Sequence, residues 1–330
     1  MARGSFDIDD MVHVGEVPWS GISHDFETTP TTTQDIITQA NLNWNVASES
    51  IRSESFETIP NYSLAYRTDT NAILGLIKKD APRFVQNIDT FNAFTDLLGN
   101  ELKPVTASAV GVGEKIFGCF ELPDTYKVLG DDIKQYIVIV NDHLKADGKI
   151  TVINTPVRVA CQNALNAAIK KNYSMVRVEV SEDPIVNSNV AKKILELTAT
   201  SQLQLSAKAE NLVANKLPEH YVDNLLDELF PIVETSSNED DKYEKANATQ
   251  EMMRETFVNN CINAVNLTDF KGTEWGLLQA MLDYTQHYFK KSDDAMSLSY
   301  RMNLIGAGVG ANSNNSFLSK FMKLKDKIAA

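Results

Sequence analysis

Ile133-Lys134-Gln135-Tyr136-Ile137-Val138-Ile139-Val140 is followed, after residues 141–148, by Lys149-Ile150-Thr151-Val152-Ile153-Asn154. Both runs are rich in β-branched residues and too short for a buried helix. The link between them ends in Asp147-Gly148, turn chemistry that folds a strand back on its neighbour. A third apolar stretch, Lys115 to Leu122, lies just upstream. With connections this short, the three strands pair antiparallel. Thr155-Pro156 then reads as a helix start, with Thr155 as N-cap and Pro156 at the first helical position, where its missing N–H costs nothing. The spacing predicts a helix from Thr155 to about Lys171. Val157, Cys161, Ala164, Leu165, Ala168 and Ile169 would face the sheet, and Arg158, Gln162, Asn166 and Lys170 would fall on another stripe.

Upstream, Ser63 to Arg67 and Ala72 to Ile77 flank Thr68-Asp69-Thr70-Asn71 and read as a β-hairpin. A helix is expected at Val85 to Leu98, ended by Gly99-Asn100. Downstream, Val176 to Val180 alternates like a last strand. Helices follow at Val190 to Ala214, Glu219 to Phe230, Thr249 to Val265 and Thr273 to Lys290, with Thr235 to Asp241 as an exposed link. The stripe Trp275, Leu278, Leu282, Thr285 and Phe289 reads as core. The expected fold class is α+β: an antiparallel β-sheet core (β-hairpin, helix, then β-β-β-α) with a mainly helical C-terminal half. Three regions follow: an acidic N-terminal arm over 1–60, a core domain over 61–185, and a helical region over 186–330. Within the arm, a short helix is expected at Thr33 to Ala40, and Trp19 and Trp44 are expected to pack on the main body.

The chain has 330 residues, of which 43% are hydrophobic and 23% charged, a globular composition. Its longest uninterrupted apolar run, Tyr136 to Val140, falls far short of the roughly 18–20 residues of a spanning helix. The first residues lead into acidic sequence rather than an apolar signal, so a cytoplasmic protein is expected. Three cysteines without CxxC spacing suit a reducing compartment. The formal net charge is −13, which taken whole argues against a phosphate-coating protein. Its distribution changes that reading. Residues 1–60 hold 2 basic and 10 acidic side chains, residues 61–180 hold 14 and 13, and residues 301–330 hold 5 and 1.

Motifs for common chemistries are absent. No Walker-type phosphate loop occurs, and Gly306-Ala307-Gly308-Val309-Gly310 lacks dinucleotide spacing. The five histidines form no HxxxH or HxH pair, and no GxSxG elbow appears. Asn141-Asp142-His143 with Asp147 could hold a divalent ion, although turn formation explains the same letters. The expectation is a non-enzyme without cofactor or metal.

Tyr66-Arg67-Thr68-Asp69, Phe84-Val85-Gln86-Asn87 and Asn154-Thr155-Pro156-Val157-Arg158-Val159-Ala160-Cys161-Gln162-Asn163 together form a pattern. It resembles the phage/plasmid-like protein family, that of domain of unknown function 932. Pro18-Trp19-Ser20-Gly21 is similar to the family's Trp-His-Gly element, with Ser20 in place of His. Gly272-Thr273-Glu274-Trp275-Gly276, with Tyr284 and His287, is similar to its C-terminal segment. The expected core is also similar to that of the Rad-fifty-two and Redβ class of single-strand annealing proteins, which assemble as rings or filaments.

That resemblance implies a non-enzymatic phage or plasmid DNA-binding protein in a bacterial host cell. It would anneal single-stranded DNA in recombination and form a homo-oligomer, a ring or filament, with no membrane role. Backbone contacts are expected from Arg158, Gln162 and Lys170, with Lys145 and Lys149 at the adjoining hairpin. Arg67, Lys78, Lys79 and Arg83 would extend the groove, and Lys171 and Arg177 would lie near its end. The alternative is a phage accessory or structural protein acting through protein–protein contacts. An enzyme with undetected carboxylate or metal chemistry is a third reading.

Overall fold

The computed structural model describes residues 12–13, 24–25, 30, 32–78, 82–98, 103–158, 163–164, 175–180, 184–218, 220–232, 241–284 and 288. In chain order the elements are β1 (Val12–His13), β2 (His24–Asp25), α1 (Thr33–Gln39), β3 (Val46–Arg52), β4 (Thr58–Arg67), β5 (Ile73–Ile77) and α2 (Asn87–Leu98). Then come β6 (Lys103–Val110), β7 (Lys115–Val128), β8 (Asp131–Asp142), β9 (Lys149–Arg158), β10 (Asn163–Ala164) and β11 (Met175–Glu179). The helices α3 (Pro184–Ala214), α4 (Tyr221–Leu229), α5 (Asp241–Thr256) and α6 (Glu274–Asp283) complete the described chain, with a π-helical turn at Phe257–Ile262 and a 3-10 turn at Val265–Phe270. The class is α+β with a mainly helical C-terminal half. Among the described residues no helix is long and apolar enough to cross a membrane.

The chain divides into two compact units, 1–205 with 291–311 and 206–290 with 312–330. The first is built on two sheets. The larger runs β10-β9-β8-β7-β6-β1-β2, with β11 also on β9, and every pairing is antiparallel except β1 with β2. Both faces of its centre are buried: Phe120, Ile137 and Ile139 on one, Phe117, Cys119 and Val138 on the other. That explains why Ile133–Val140 reads as a continuous apolar run rather than an alternation. The smaller sheet, β3-β4-β5, turns Ala65, Leu74 and Ile77 into the same core that receives Ile36 and Ile37 of α1, Trp44, and Phe91 of α2. Phe91 presses on β7 so closely that a Cβ at Gly118 would lie 2.5 Å from its ring.

The helix at Thr33 forms as expected, with a capping box between Thr32 and Asp35. The hairpin at 63–77 and the strands at 115, 133, 149 and 176 also form, and Trp44 is buried in the body. The helix expected from Thr155 does not. Thr155 to Arg158 continue β9, and Asn163–Ala164 fold back onto Val157 and Arg158. The β-branched run extends through Val157, and Thr155 and Val157 are buried, so sheet burial outweighs the local Thr-Pro cap signal. Pro156 falls in the gap between the two outer partners of β9, because β11 covers 149–153 and β10 covers 157–158. Among the described residues no outer ladder there needs its missing donor. Among the described residues the first helix after β9 is α3, and residues 159–162 and 165–171 of the expected helix lie outside them. Strands β3 and β6 were not expected; β6, Lys-Pro-Val-Thr-Ala-Ser-Ala-Val, carries small residues that bury without a strong apolar signature.

In the second unit, Tyr221, Leu225 and Leu229 of α4 and Trp275, Leu278 and Leu282 of α6 are buried. Phe230, Phe257 and Tyr284 meet at centroid separations of 6.2, 5.6 and 5.4 Å. Trp275, Leu278 and Leu282 are thus core, as their spacing predicts. Thr285 and Phe289 lie outside the described residues, as do residues 235–240 of the expected link.

Candidate nucleic-acid interface

Hairpin closure brings charge to one end of the larger sheet. Lys115, at the start of β7, pairs in register with Asp142 at the end of β8, and Lys149, at the start of β9, pairs with Glu179 at the end of β11. The β6–β7 turn, the β8–β9 turn and the end of β11 therefore share that end. Arg83 is stitched into it through its backbone: its N–H donates to Ala146 O at 2.9 Å, and its carbonyl accepts from Gly148 N at 2.8 Å. Gly148 then accepts from Val180 N at 3.0 Å. Its φ of +73° lies in the left-handed region that favours glycine.

The side chains there include the cations Arg83, Lys115, Lys145, Lys149 and Arg177 and the carboxylates Asp142, Asp147, Glu179 and, in the β6–β7 turn, Glu114. Arg177 grips Asp147 with two bonds of 2.9 and 3.0 Å, a planar bidentate pair. Arg83 Nη2 donates to Glu179 Oε1 at 2.8 Å. Asp142 Oδ2 lies 3.4 Å from Lys115 Nζ and 4.0 Å from Lys145 Nζ. Lys149 is exposed beside them. Partial burial, then the charge of Arg177 and further that of Lys115, pulls Lys145 below the usual lysine range against the opposing pull of Asp142 and Asp147. The hydrogen bond from Arg83 holds Glu179 below the usual carboxylate range. At Lys145 burial is the larger cause, and the neighbouring cations add to it.

Of the residues the sequence singled out, the structure brings together Arg83, Lys145, Lys149 and Arg177. Arg67 reaches the same end differently: its guanidinium lies 4.3 Å above the Trp44 ring, bonds Asp69 at 2.6 Å and donates to Val112 O at 3.3 Å. It is a packing cation there, and its bond holds Asp69 below the usual carboxylate range. Lys78 is exposed just past β5. Arg158 ends β9, about 30 Å along the strand from Lys149. The single helical stripe of Arg158, Gln162 and Lys170 therefore does not exist at its start. Lys79, Gln162, Lys170 and Lys171 lie outside the described residues. Nothing in the sequence singles out Lys115 and Glu179, and it offers Asp142 and Asp147 only as metal-loop letters, because only strand register makes these four neighbours of the cations.

The loop letters that could suggest a metal have structural duties. Asn141 Nδ2 donates to Val85 O and Thr90 Oγ1, both at 2.8 Å. Asn87 Nδ2 donates to Leu42 O and Trp44 O at 3.0 Å, and Asn87 Oδ1 lies 3.1 Å from His143 Nε2. Asp142 and Asp147 are the ion-pair partners already described. Among the described residues no group of three or more His, Cys, Asp or Glu side chains is placed to hold a metal ion.

A family model, the domain of unknown function DUF932, matches residues 80–304, more than half of the chain. The chain belongs to the DUF932 family. The DUF932 region includes Arg83, the β8–β9 turn and Arg177, whereas Arg67, Lys78 and Lys79 precede it. No curated protein and no solved structure matches the chain.

Proposed function

We propose that this DUF932 protein is a non-enzymatic DNA-binding protein of phage or plasmid origin that holds single-stranded DNA for annealing during recombination, acting in the bacterial cell as a homo-oligomer. The observation that carries the reading is the convergence of Arg83, Lys145, Lys149, Arg177 and Lys115 on one sheet end. Annealing needs cationic contacts to phosphate, bases left accessible, and no bond-breaking chemistry. Arg83 and Arg177 could exchange their carboxylate partners for phosphate oxygens, since both accept the same guanidinium fork. Those same pairs favour the second reading, an accessory or structural protein working through protein contacts, in which the carboxylates are permanent partners.

Fluorescence anisotropy with a labelled single-stranded oligonucleotide over a salt titration separates the two. In the DNA reading, Lys145→Ala with Lys149→Ala weakens binding and lowers the slope of log K against log salt by roughly 1.4, about 0.7 for each lost phosphate contact. An unchanged slope removes these lysines from the site. No binding by the parent protein at low salt leaves the protein-contact reading.

A further inference from the structure

β5, Ile73-Leu74-Gly75-Leu76-Ile77, is an edge strand: β4 flanks it on one side, and among the described residues no strand flanks it on the other. The alternation of the ladder fixes which of its groups face outward. Arg67 N donates to Ala72 O at 3.0 Å, so the alternate residues Ala65 and Ser63 of β4 also bond toward β5, and Leu64 bonds toward β3. Leu76 lies opposite Leu64 and therefore turns its N–H and C=O away from the sheet, with no partner among the described residues. The Leu76 side chain is 62% exposed and that of Ile73 60%, while Leu74 and Ile77 fill the core beneath. Native proteins blunt such an edge with charge, proline or a cover, and β5 carries neither charge nor proline.

The other edge of the same sheet is blunted. Gln86 closes β3 at Val46: its Oε1 accepts from Val46 N at 2.8 Å, and its Nε2 donates to Val46 O at 3.1 Å. Farther along, β3 carries Glu49 and Arg52, both exposed. One edge is thus closed and charged, and the other is apolar and, among the described residues, open. Charge narrows the partner further. Copies of a chain with a net charge of −13 repel one another, and contact between them costs least at a strand without carboxylates. β5 is also its own complement. Set antiparallel about a two-fold axis at Leu76, two copies exchange hydrogen bonds between their Leu76 N–H and C=O groups. That register puts Gly75 opposite Ile77 and brings the two exposed leucines together on one face.

We infer that β5 of one copy pairs antiparallel with β5 of a second copy, joining two three-stranded sheets into one of six strands. The contact is isologous and closes at two copies. It rests on the homo-oligomer proposed above and names its contact, and it requires none of Arg83, Lys145, Lys149 or Arg177. With one short strand from each copy it belongs at the small end of specific interfaces, so association is on the order of micromolar.

Sedimentation velocity on the full chain over roughly 1–100 μM tests it, with hydrogen exchange and thermal unfolding on the same samples. The parent should dimerise as concentration rises. The Leu76 amide should then exchange more slowly, while the Ser63 and Ala65 amides, already bonded within the sheet, keep their rates. Leu76→Lys puts a charge on the open edge and removes no core contact, so melting is unchanged and association weakens at least roughly tenfold. Leu76→Ala keeps the edge uncharged and should weaken association less. A parent that stays monomeric over that range, a Leu76→Lys variant that associates like the parent, or exchange at Leu76 that ignores concentration overturns the inference. So does protection of β5 that appears only when a single-stranded oligonucleotide is added, which would make the edge a nucleic-acid contact. A protein that dimerises through β5 without binding the oligonucleotide keeps the inference and overturns the DNA site; one that binds it as a monomer does the reverse.

Discussion

His143 is 1% exposed and packs edge-on against Trp44 with ring centroids 5.6 Å apart. Because Asn87 spends its amide hydrogens on Leu42 O and Trp44 O, its Oδ1 can only accept, which places the imidazole hydrogen on Nε2. His143 Nδ1 is then a buried lone pair with no partner. Protonating it would create a donor with nothing to receive it, and burial accordingly pushes the imidazole down to about 4. The sign follows from linkage. Between pH 6.5 and 4 the unfolded chain binds the proton and the folded one does not, so stability falls as pH drops through that window, by about 3 kcal/mol in all. Urea unfolding at pH 7 and at pH 4.5 measures this. His143→Gln, which can still donate to Asn87, should remove that portion of the pH dependence; an unaltered dependence would place its source elsewhere.

At the scale of elements, the β8–β9 turn joins stability to the proposed binding of single-stranded DNA. Asp147 neutralises Arg177, and its Oδ1 also accepts from Lys149 N at 3.3 Å. Asp147→Asn keeps the shape of the turn and removes the charge that competes with phosphate. Partly exposed pairs of this kind contribute about 0.2–1 kcal/mol, so the melting temperature moves little. Single-strand affinity should rise roughly threefold to tenfold, with a salt slope steeper by about 0.7, read in the same anisotropy titration. Unchanged affinity would mean that Arg177 faces no phosphate. The strands of this site were legible in sequence because Ile133–Val140 and Lys149–Asn154 are strongly β-branched and Asp147-Gly148 is unambiguous turn chemistry. The ion pairs were not. Arg177 and Asp147 are 30 residues apart, and their meeting depends on β11 pairing with β9 in one register. Thr155-Pro156 misled for the complementary reason: a local cap signal says nothing of the sheet that buries Thr155 and Val157.

At the scale of the whole molecule, a charge of −13 faces a local cluster of five cations. The two act over different distances. At low ionic strength the Debye length is about 30 Å, long enough for approaching DNA to feel the net charge and be repelled; near 0.15 M it is about 8 Å, and only the nearest groups count. Salt should therefore raise the association rate or leave it flat, while it raises the dissociation rate steeply as phosphate contacts are screened. The equilibrium constant still falls with salt, and all of that fall belongs to dissociation. Stopped-flow mixing with a labelled oligonucleotide at a series of salt concentrations separates the two rates. An association rate that drops with salt would show that the Arg83–Arg177 end steers DNA despite the acidic remainder. In either case, if the proposed binding occurs, the ratio of the rates must reproduce the anisotropy constant.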